Sequence, residues 1–169
     1  PRERWWSLEG GALTLQARPD DVASKGQPSF VGRRQQHLRA TFTTEMRFAP
    51  ARAGDRAGLV AFQSENFFYA MTVTLADGKP VVQVERRAGA NEAPTIVASK
   101  PLAAGVGAPV YLRIDANNDR YGFSFATERD RWIPVLENAD GRMLSTKGAG
   151  GAGANFTGVV VGMYARSAP

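Results

Sequence analysis

The stretch VYLRIDANNDRYGFSFA, from Val110 to Ala126, carries the clearest structural pattern in the sequence. Apolar and polar residues alternate up to Asp115, a polar turn follows at residues 117–119, and alternation resumes from Tyr121. A period of two places one face of a strand in the core and the other in solvent. The stretch therefore predicts an antiparallel hairpin with one buried face.

Similar alternation recurs along most of the chain, and no segment sustains a helical pattern over three turns. Residues 38–48 predict a long half-buried strand with Leu38 on its core side, and Asp77-Gly78 is a hairpin turn signal. The whole chain contains about a dozen such short strands, which is typical of an all-β fold. We expect a two-sheet antiparallel β-sandwich of the jelly-roll or lectin-like type, formed by residues 1–169 as one domain.

Composition excludes several classes of partner. The chain has 169 residues, a net charge of +5 and no cysteine. Its arginines are dispersed rather than clustered, so nucleic acid is not an expected partner. No apolar run reaches the length of a membrane span. Because the sequence lacks an initiator Met and a signal peptide pattern, we expect a piece of a longer protein, in a compartment that the composition leaves undetermined.

No catalytic set is evident in the sequence. Glu45, Glu65 and Glu85 belong to different predicted elements, whereas a glycosidase needs two carboxylates facing one bond. His37 is the only histidine, which removes both a serine–histidine pair and a histidine metal cluster. Oxygen ligands for a structural calcium are conceivable at residues 115–119, but a polar turn explains that segment without an ion. We therefore expect no catalytic residue, metal or cofactor in this chain.

Two stretches are unusual for a sandwich of this kind. In the first, Arg33, Arg34, Gln35 and His37 lie within a predicted strand over residues 32–37 that is polar on both faces. Such a strand is costly to bury unless every polar group is paired. It either looks into a polar groove or holds a partner domain, or it is an edge strand whose charges discourage pairing with another edge.

The second stretch, LSTKGAGGAGANFTGVVVGMY, runs from Leu144 to Tyr164 and presents Phe156 after a series of glycines. Small residues allow a backbone to approach another surface closely, and Phe156 could project from such a loop with Asn155 beside it. The alternative is a surface loop anchored by a Phe in the core. The residues alone leave both open.

Several motifs in this order resemble a known family. They are RRQ-x-H (residues 33–37), AGL (57–59), YLRI (111–114) with its Tyr-x-Phe-x-Phe return, Trp132, LST (144–146) and FTG-x-x-x-GMYA (156–165). Together they resemble the C-terminal concanavalin A-like sandwich of family 43 glycoside hydrolases, which are β-xylosidases and α-L-arabinofuranosidases, and the resemblance spans nearly the whole chain.

The resemblance implies that the catalytic carboxylates sit on a separate β-propeller of the same polypeptide, in a bacterial enzyme acting on xylo- or arabino-oligosaccharides. It implies that Phe156, with Asn155, lies at the rim of the substrate pocket, and that Arg33, Arg34, Gln35 and His37 line a groove or the domain interface. Two other functions stay open. One is a free-standing xylan-binding module that uses exposed Trp or Tyr, and the other is a structural domain that stabilises a homo-oligomer.

Overall fold

The computed structural model describes residues 4–103, 105, 107–150 and 158–169. This part of the chain contains twelve strands in three antiparallel sheets and one short 3₁₀ helix, Arg142–Leu144. The two larger sheets pack face to face, which confirms the predicted antiparallel β-sandwich. No helix in the described ranges is long and apolar enough to cross a membrane.

The strands divide unevenly among the sheets. A two-stranded sheet holds β1 (Trp6–Glu9) and β2 (Ala12–Leu15). A six-stranded sheet, in the order β3-β12-β5-β6-β7-β8, holds β3 (Ser29–Arg34), β5 (Arg56–Ser64), β6 (Phe67–Ala76), β7 (Lys79–Ala88), β8 (Thr95–Pro101) and β12 (Val160–Arg166). A four-stranded sheet, in the order β11-β10-β9-β4, holds β4 (Arg39–Arg47), β9 (Pro109–Asn117), β10 (Arg120–Ala126) and β11 (Ile133–Asp140).

The hairpin predicted from Val110 to Ala126 is confirmed as β9 and β10. Asn118 at its turn has φ of 57°, a left-handed conformation that Asn tolerates better than most residues. The apolar alternation points inward, and Leu112, Ile114 and Phe123 are at most 1% exposed. These side chains form the four-stranded sheet's half of the core, against Met71, Val73, Val82 and Val84 from the six-stranded sheet.

The long strand predicted over residues 38–48 is confirmed as β4, in which exposed and half-buried residues alternate. One detail was wrong: Leu38 precedes the strand and is 72% exposed, so it does not belong to the core side. The turn at Asp77 and Gly78 is also confirmed, because both residues have positive φ, of 50° and 74°.

The segment before β3 covers the outer face of the six-stranded sheet. Val22 packs there with Val60, Phe68, Ala70 and Tyr164 in a second apolar cluster. The nearly all-apolar stretch at residues 57–62 is therefore buried on both faces, as a central strand with this composition requires.

Asp55 fastens the end of β12 to the loop before β5. Its carboxylate accepts backbone N–H groups from Ala168 at 2.8 Å, Arg52 at 2.9 Å and Ala51 at 3.0 Å. The Ala168 N–H, more than the other two, holds the pKa of Asp55 below its ordinary value. A carboxylate that accepts several N–H bonds is stabilised in its charged form.

Replacing Asp55 with Asn should lower the unfolding temperature at about pH 7 and make the loss depend on pH. Because the folded pKa is depressed, the carboxylate's contribution is present above the unfolded pKa of about 3.9. It disappears as pH falls from there through the folded pKa. Thermal unfolding of both proteins between about pH 7 and pH 3 should show a gap that closes towards acid. A gap of constant size would contradict this role.

Candidate functional site

The RRQ-x-H stretch lies at one end of the sandwich, but not as one strand. β3 ends at Arg34, and Gln35 and His37 lie in the connection to β4. The predicted strand over residues 32–37 is therefore wrong beyond Arg34. Gln35 stabilises the turn, because its side-chain Nε2 donates to the His37 carbonyl at 2.8 Å, while its backbone N–H donates to the Val159 carbonyl, also at 2.8 Å, beside the end of the β3–β12 pairing.

The four polar residues share this end but not one surface. Arg33 pairs with Val161 and Arg34 with Val160, so their side chains leave opposite faces of β3. Both arginines and His37 are exposed, whereas Gln35 is half-buried. β3 is also the edge strand of its sheet. This position agrees with the alternative prediction, in which the charges of an edge strand discourage pairing with another edge.

A hydrogen bond joins the connection after β3 to the four-stranded sheet. The Tyr121 hydroxyl, on β10, donates to Oε1 of Gln35 at 2.8 Å. Tyr121 is only 3% exposed, and burial raises the pKa of its hydroxyl to about 12. The ring packs against Gly141, where a Cβ would lie 2.5 Å from a ring carbon. A larger residue at position 141 would push Tyr121 away from Gln35.

The glycine-rich stretch begins and ends beside this bond. Leu144 is fully buried, and Ser145 then makes a turn in which its Oγ donates to the Arg142 carbonyl at 2.6 Å. The same Oγ accepts the Gly148 N–H at 3.0 Å. On the far side of the stretch, Val159 accepts the Gln35 N–H. Asn155 and Phe156 lie outside the described residues.

We call this region the Gln35 end; it comprises Gln35, Tyr121, Gly141, Ser145 and Val159. Sequence reasoning found Gln35 but missed Tyr121 and Gly141. Tyr121 looked like any inward-facing strand residue, and nothing in a sequence pattern links it to a residue 86 positions away. Gly141 resembled an ordinary loop glycine. The RRQ-x-H and LST motifs, and the Tyr-x-Phe-x-Phe return that begins at Tyr121, were the local signals in this region.

A pocket of about 290 Å³ lies next to the Gln35 end, between the edges of the two sheets. It is lined by Tyr69, Arg86, Val97, Leu136, Ala139, Asp140 and Met143. The Asp140 carboxylate binds the Arg142 guanidinium through two hydrogen bonds to Nε and one of 2.6 Å to Nη2. This pairing with Arg142 holds the pKa of Asp140 well below its ordinary value. The ion pair fixes the start of the 3₁₀ helix that leads into the glycine-rich stretch.

Several carboxylates of the described residues are engaged in ion pairs. Asp21 and Glu85 come together on the outer face of the six-stranded sheet, but Arg56 binds both of them. No group of three or more His, Cys, Asp or Glu residues in the described ranges is arranged to hold a metal ion. The Gln35 end as defined above contains no Asp, Glu or His.

Among the described residues, the tryptophans lie beside arginines and three tyrosines are buried. A guanidinium carbon lies over one ring face of each tryptophan, at 4.4 Å for Trp132, 4.6 Å for Trp5 and 4.9 Å for Trp6. Tyr69, Tyr121 and Tyr164 are at most 3% exposed. A polysaccharide-binding module normally offers open aromatic platforms, and guanidinium groups occupy one face of each Trp here.

Comparison with known proteins places this arrangement in a family. A family profile described as "Beta xylosidase C-terminal Concanavalin A-like domain" matches residues 1–168. A non-reducing end alpha-L-arabinofuranosidase of Bacteroides ovatus is 29% identical over 167 residues, which cover 98% of this chain and 30% of that protein. A xylan 1,3-beta-xylosidase of a Vibrio species is 29% identical over 149 residues, covering 86% of this chain and 27% of that protein. The chain thus spans less than a third of these curated relatives.

Solved structures of family 43 proteins contain a domain with the same fold. A xylan beta-1,4-xylosidase of Bacillus halodurans superposes with a TM-score of 0.85 at 26% identity, covering 96% of this chain and 31% of that one. A family 43 protein of Bacteroides ovatus gives 0.84 at 28% identity, covering 98% of this chain and 31% of that one. The chain therefore belongs to the family of beta-xylosidase C-terminal concanavalin A-like domains, which confirms the resemblance in its motifs.

Proposed function

We propose that this chain is the accessory sandwich of a bacterial family 43 glycoside hydrolase and packs on a catalytic β-propeller of the same polypeptide. The family match over residues 1–168 supports this, as do relatives named as xylosidases and arabinofuranosidases. The share of those relatives outside the match, about 70% in each, leaves ample length for a catalytic domain. The substrate class is then a xylo- or arabino-oligosaccharide.

The chemistry in such an enzyme belongs to the propeller. Inverting hydrolysis needs one carboxylic acid to protonate the leaving oxygen and one carboxylate to activate water on the opposite face of the sugar. The best candidates for a pair within the described residues, Asp21 and Glu85, both bind Arg56 and so are unsuited to that work. The contribution of this domain is to shape and close the pocket.

The observation that carries the proposal is the attachment of the glycine-rich stretch. Ser145 and Val159, on either side of the glycine-rich stretch, both belong to the Gln35 end. Ser145 fixes the incoming chain, and the bond from Gln35 to Val159 fixes the outgoing chain. Because both flanks are attached to the sandwich, we propose that the stretch between them presents Phe156 to a neighbouring pocket. An aromatic ring there can stack on a pyranose and exclude water from it.

The polar residues around this tether suit a domain interface. Arg33 and Arg34 extend from opposite faces of an exposed edge strand, and His37 lies exposed in the next turn. Guanidinium groups offer several donors in a fixed geometry and bind carboxylates and carbonyl oxygens of a partner surface well. We assign Arg33, Arg34 and His37 to contact with the propeller or with the groove beside its pocket. Gln35 holds the tether.

Truncating Phe156 to Ala in the parent enzyme tests the pocket-closing role. We expect kcat/KM for an oligosaccharide to fall about tenfold to a hundredfold, mainly through a higher KM, because the lost contact serves substrate binding. The unfolding temperature should not change. Leu38→Ala is the matched control, since it removes a 72% exposed apolar side chain near the Gln35 end.

Two results would contradict this role. Unchanged kinetics of Phe156→Ala would remove Phe156 from the pocket. A marked loss of stability without a kinetic effect specific to the substrate would instead identify Phe156 as a core anchor of its loop. Titration of the 169-residue chain with xylo-oligosaccharides tests the alternative of an independent binding module, which requires saturable binding without the propeller.

A further inference from the structure

The first two strands stand apart from the sandwich. β1 and β2 pair only with each other, and among the described residues no third strand extends their sheet. An isolated two-stranded hairpin is marginally stable in water unless one of its faces packs on something else. A stable hairpin formed by β1 and β2 therefore needs one of its faces to pack on another surface.

One face of the hairpin is apolar throughout. The register places Trp6 opposite Leu15 and Leu8 opposite Leu13, so the four side chains share a face. The opposite face carries Ser7, Glu9, Ala12 and Thr14. The hairpin is therefore amphipathic, and burial of its apolar face against another surface would be favourable.

The sandwich does not bury that face. Trp6 is 43% exposed and Leu8 is 65% exposed, while Leu13 and Leu15 are half-buried. Single exposed apolar residues are common on protein surfaces, but two adjacent cross-strand pairs form a contiguous patch, and such patches mark interaction surfaces. The Arg4 guanidinium borders the patch, 4.9 Å from the Trp6 ring.

Resting on the proposed function, we propose that the apolar face of β1 and β2 docks on the catalytic domain of the parent enzyme. The family is one of C-terminal domains, so the catalytic domain of a parent enzyme precedes the sandwich in the polypeptide. β1 and β2 are the first strands of the sandwich domain in chain order, and covalent linkage on that side raises the effective concentration of the catalytic domain at this face. With Arg4 at the rim, the matching surface is an apolar patch beside a carboxylate.

Hydrogen exchange measured by mass spectrometry tests the docking. Peptides covering residues 5–16 are compared between the 169-residue chain and the full parent enzyme. We expect their amides to exchange at least about tenfold more slowly in the parent enzyme, because docking suppresses the local opening of a marginal hairpin.

A pair of matched variants makes the test specific. Leu8→Glu in the parent enzyme should return the exchange of residues 5–16 to the rate of the 169-residue chain. Ile96→Glu, on β8, changes a side chain that is 62% exposed and should leave that exchange slow. In the 169-residue chain itself, both variants should unfold at the wild-type temperature, since both side chains already face solvent.

The outcomes separate this docking from the proposed function. If peptides around Gln35 are slowed in the parent enzyme but those of the hairpin are not, the hairpin docking is wrong and the packing on the propeller stands. If neither region is slowed, both are wrong. If the hairpin is protected in the 169-residue chain in proportion to protein concentration, its occupant is a second copy, and the docking on the catalytic domain is overturned.

Discussion

Replacing Arg56 with Met is expected to destabilise the chain by about 3 kcal/mol, because it strips two partly buried carboxylates of a shared cation. Arg56 donates to Asp21 and, at 2.6 Å, to Glu85, and these three side chains are 13–19% exposed. Glu85 would keep no cation among its described ion pairs, whereas Asp21 would retain Arg166 at 3.3 Å. For a domain of this size the unfolding temperature should fall by roughly 6–12 °C.

The control for this change is an ion pair of similar length on the surface. Arg131 lies 2.8 Å from Glu128, with both side chains at least 65% exposed. Arg131→Met should change stability by less than about 1 kcal/mol, because solvent screens exposed pairs. Thermal unfolding of the two variants side by side measures the difference.

A second variant shows whether the uncompensated charge is the cause. Adding Glu85→Gln to Arg56→Met replaces the abandoned carboxylate with a neutral amide, which is less costly to leave partly buried. The double variant should recover part of the loss. If it proves less stable than Arg56→Met alone, the loss arises from packing of the arginine side chain and the electrostatic account is wrong.

Patterns along the chain predicted the strands because strand burial is a local property. In β4 and β9 the more buried positions alternate with the more exposed ones, and all of the more buried side chains except Thr44 are apolar and face the core, so alternation identifies these strands. The Asp77-Gly78 turn was predictable for a similar reason, since few residues tolerate positive φ. Such signals need no knowledge of the partner strand.

The Gln35 end could not be predicted in the same way. The side chain of Gln35 is held by two hydrogen bonds, one to the His37 carbonyl and one from Tyr121, which lies 86 residues away. The salt bridges of Arg56 reach 29 and 35 residues along the chain. The polarity of neighbouring residues in the sequence does not reveal such long-range contacts. The polar stretch at residues 32–37 was therefore predicted to be one continuous strand. The motif order located the region, and the pairing of its residues required the structure.

Removing the hydroxyl of Tyr121 should weaken the link between the Gln35 side chain and the four-stranded sheet. Tyr121→Phe removes only the hydroxyl and should cost about 1 kcal/mol, because the Gln35 oxygen loses its donor. Tyr121→Ala also leaves a cavity in the core and should cost about 3–5 kcal/mol. A double-mutant cycle of Tyr121→Phe with Gln35→Leu should give a coupling of about 0.5–1.5 kcal/mol.

The pH dependence distinguishes the hydroxyl from general packing. Burial raises the folded pKa of Tyr121 to about 12, above its value of about 10 in the unfolded chain. The neutral hydroxyl therefore contributes stability that is complete below about pH 10 and is lost as pH rises towards the folded pKa. The Tyr121→Phe variant has no hydroxyl to ionise at this position. The difference in the free energy of unfolding between it and the wild type should therefore shrink between about pH 10 and pH 12.

The same variant tests whether the tether matters for catalysis in the parent enzyme. Because the bond from Gln35 to Val159 fixes the outgoing end of the glycine-rich stretch, loosening Gln35 should raise KM in the same direction as Phe156→Ala, but by a smaller factor. Combining Tyr121→Phe with Phe156→Ala should add little to the KM of Phe156→Ala alone, since the tether acts only through that aromatic ring. Fully additive effects on KM would show that Tyr121 acts on the pocket by another route.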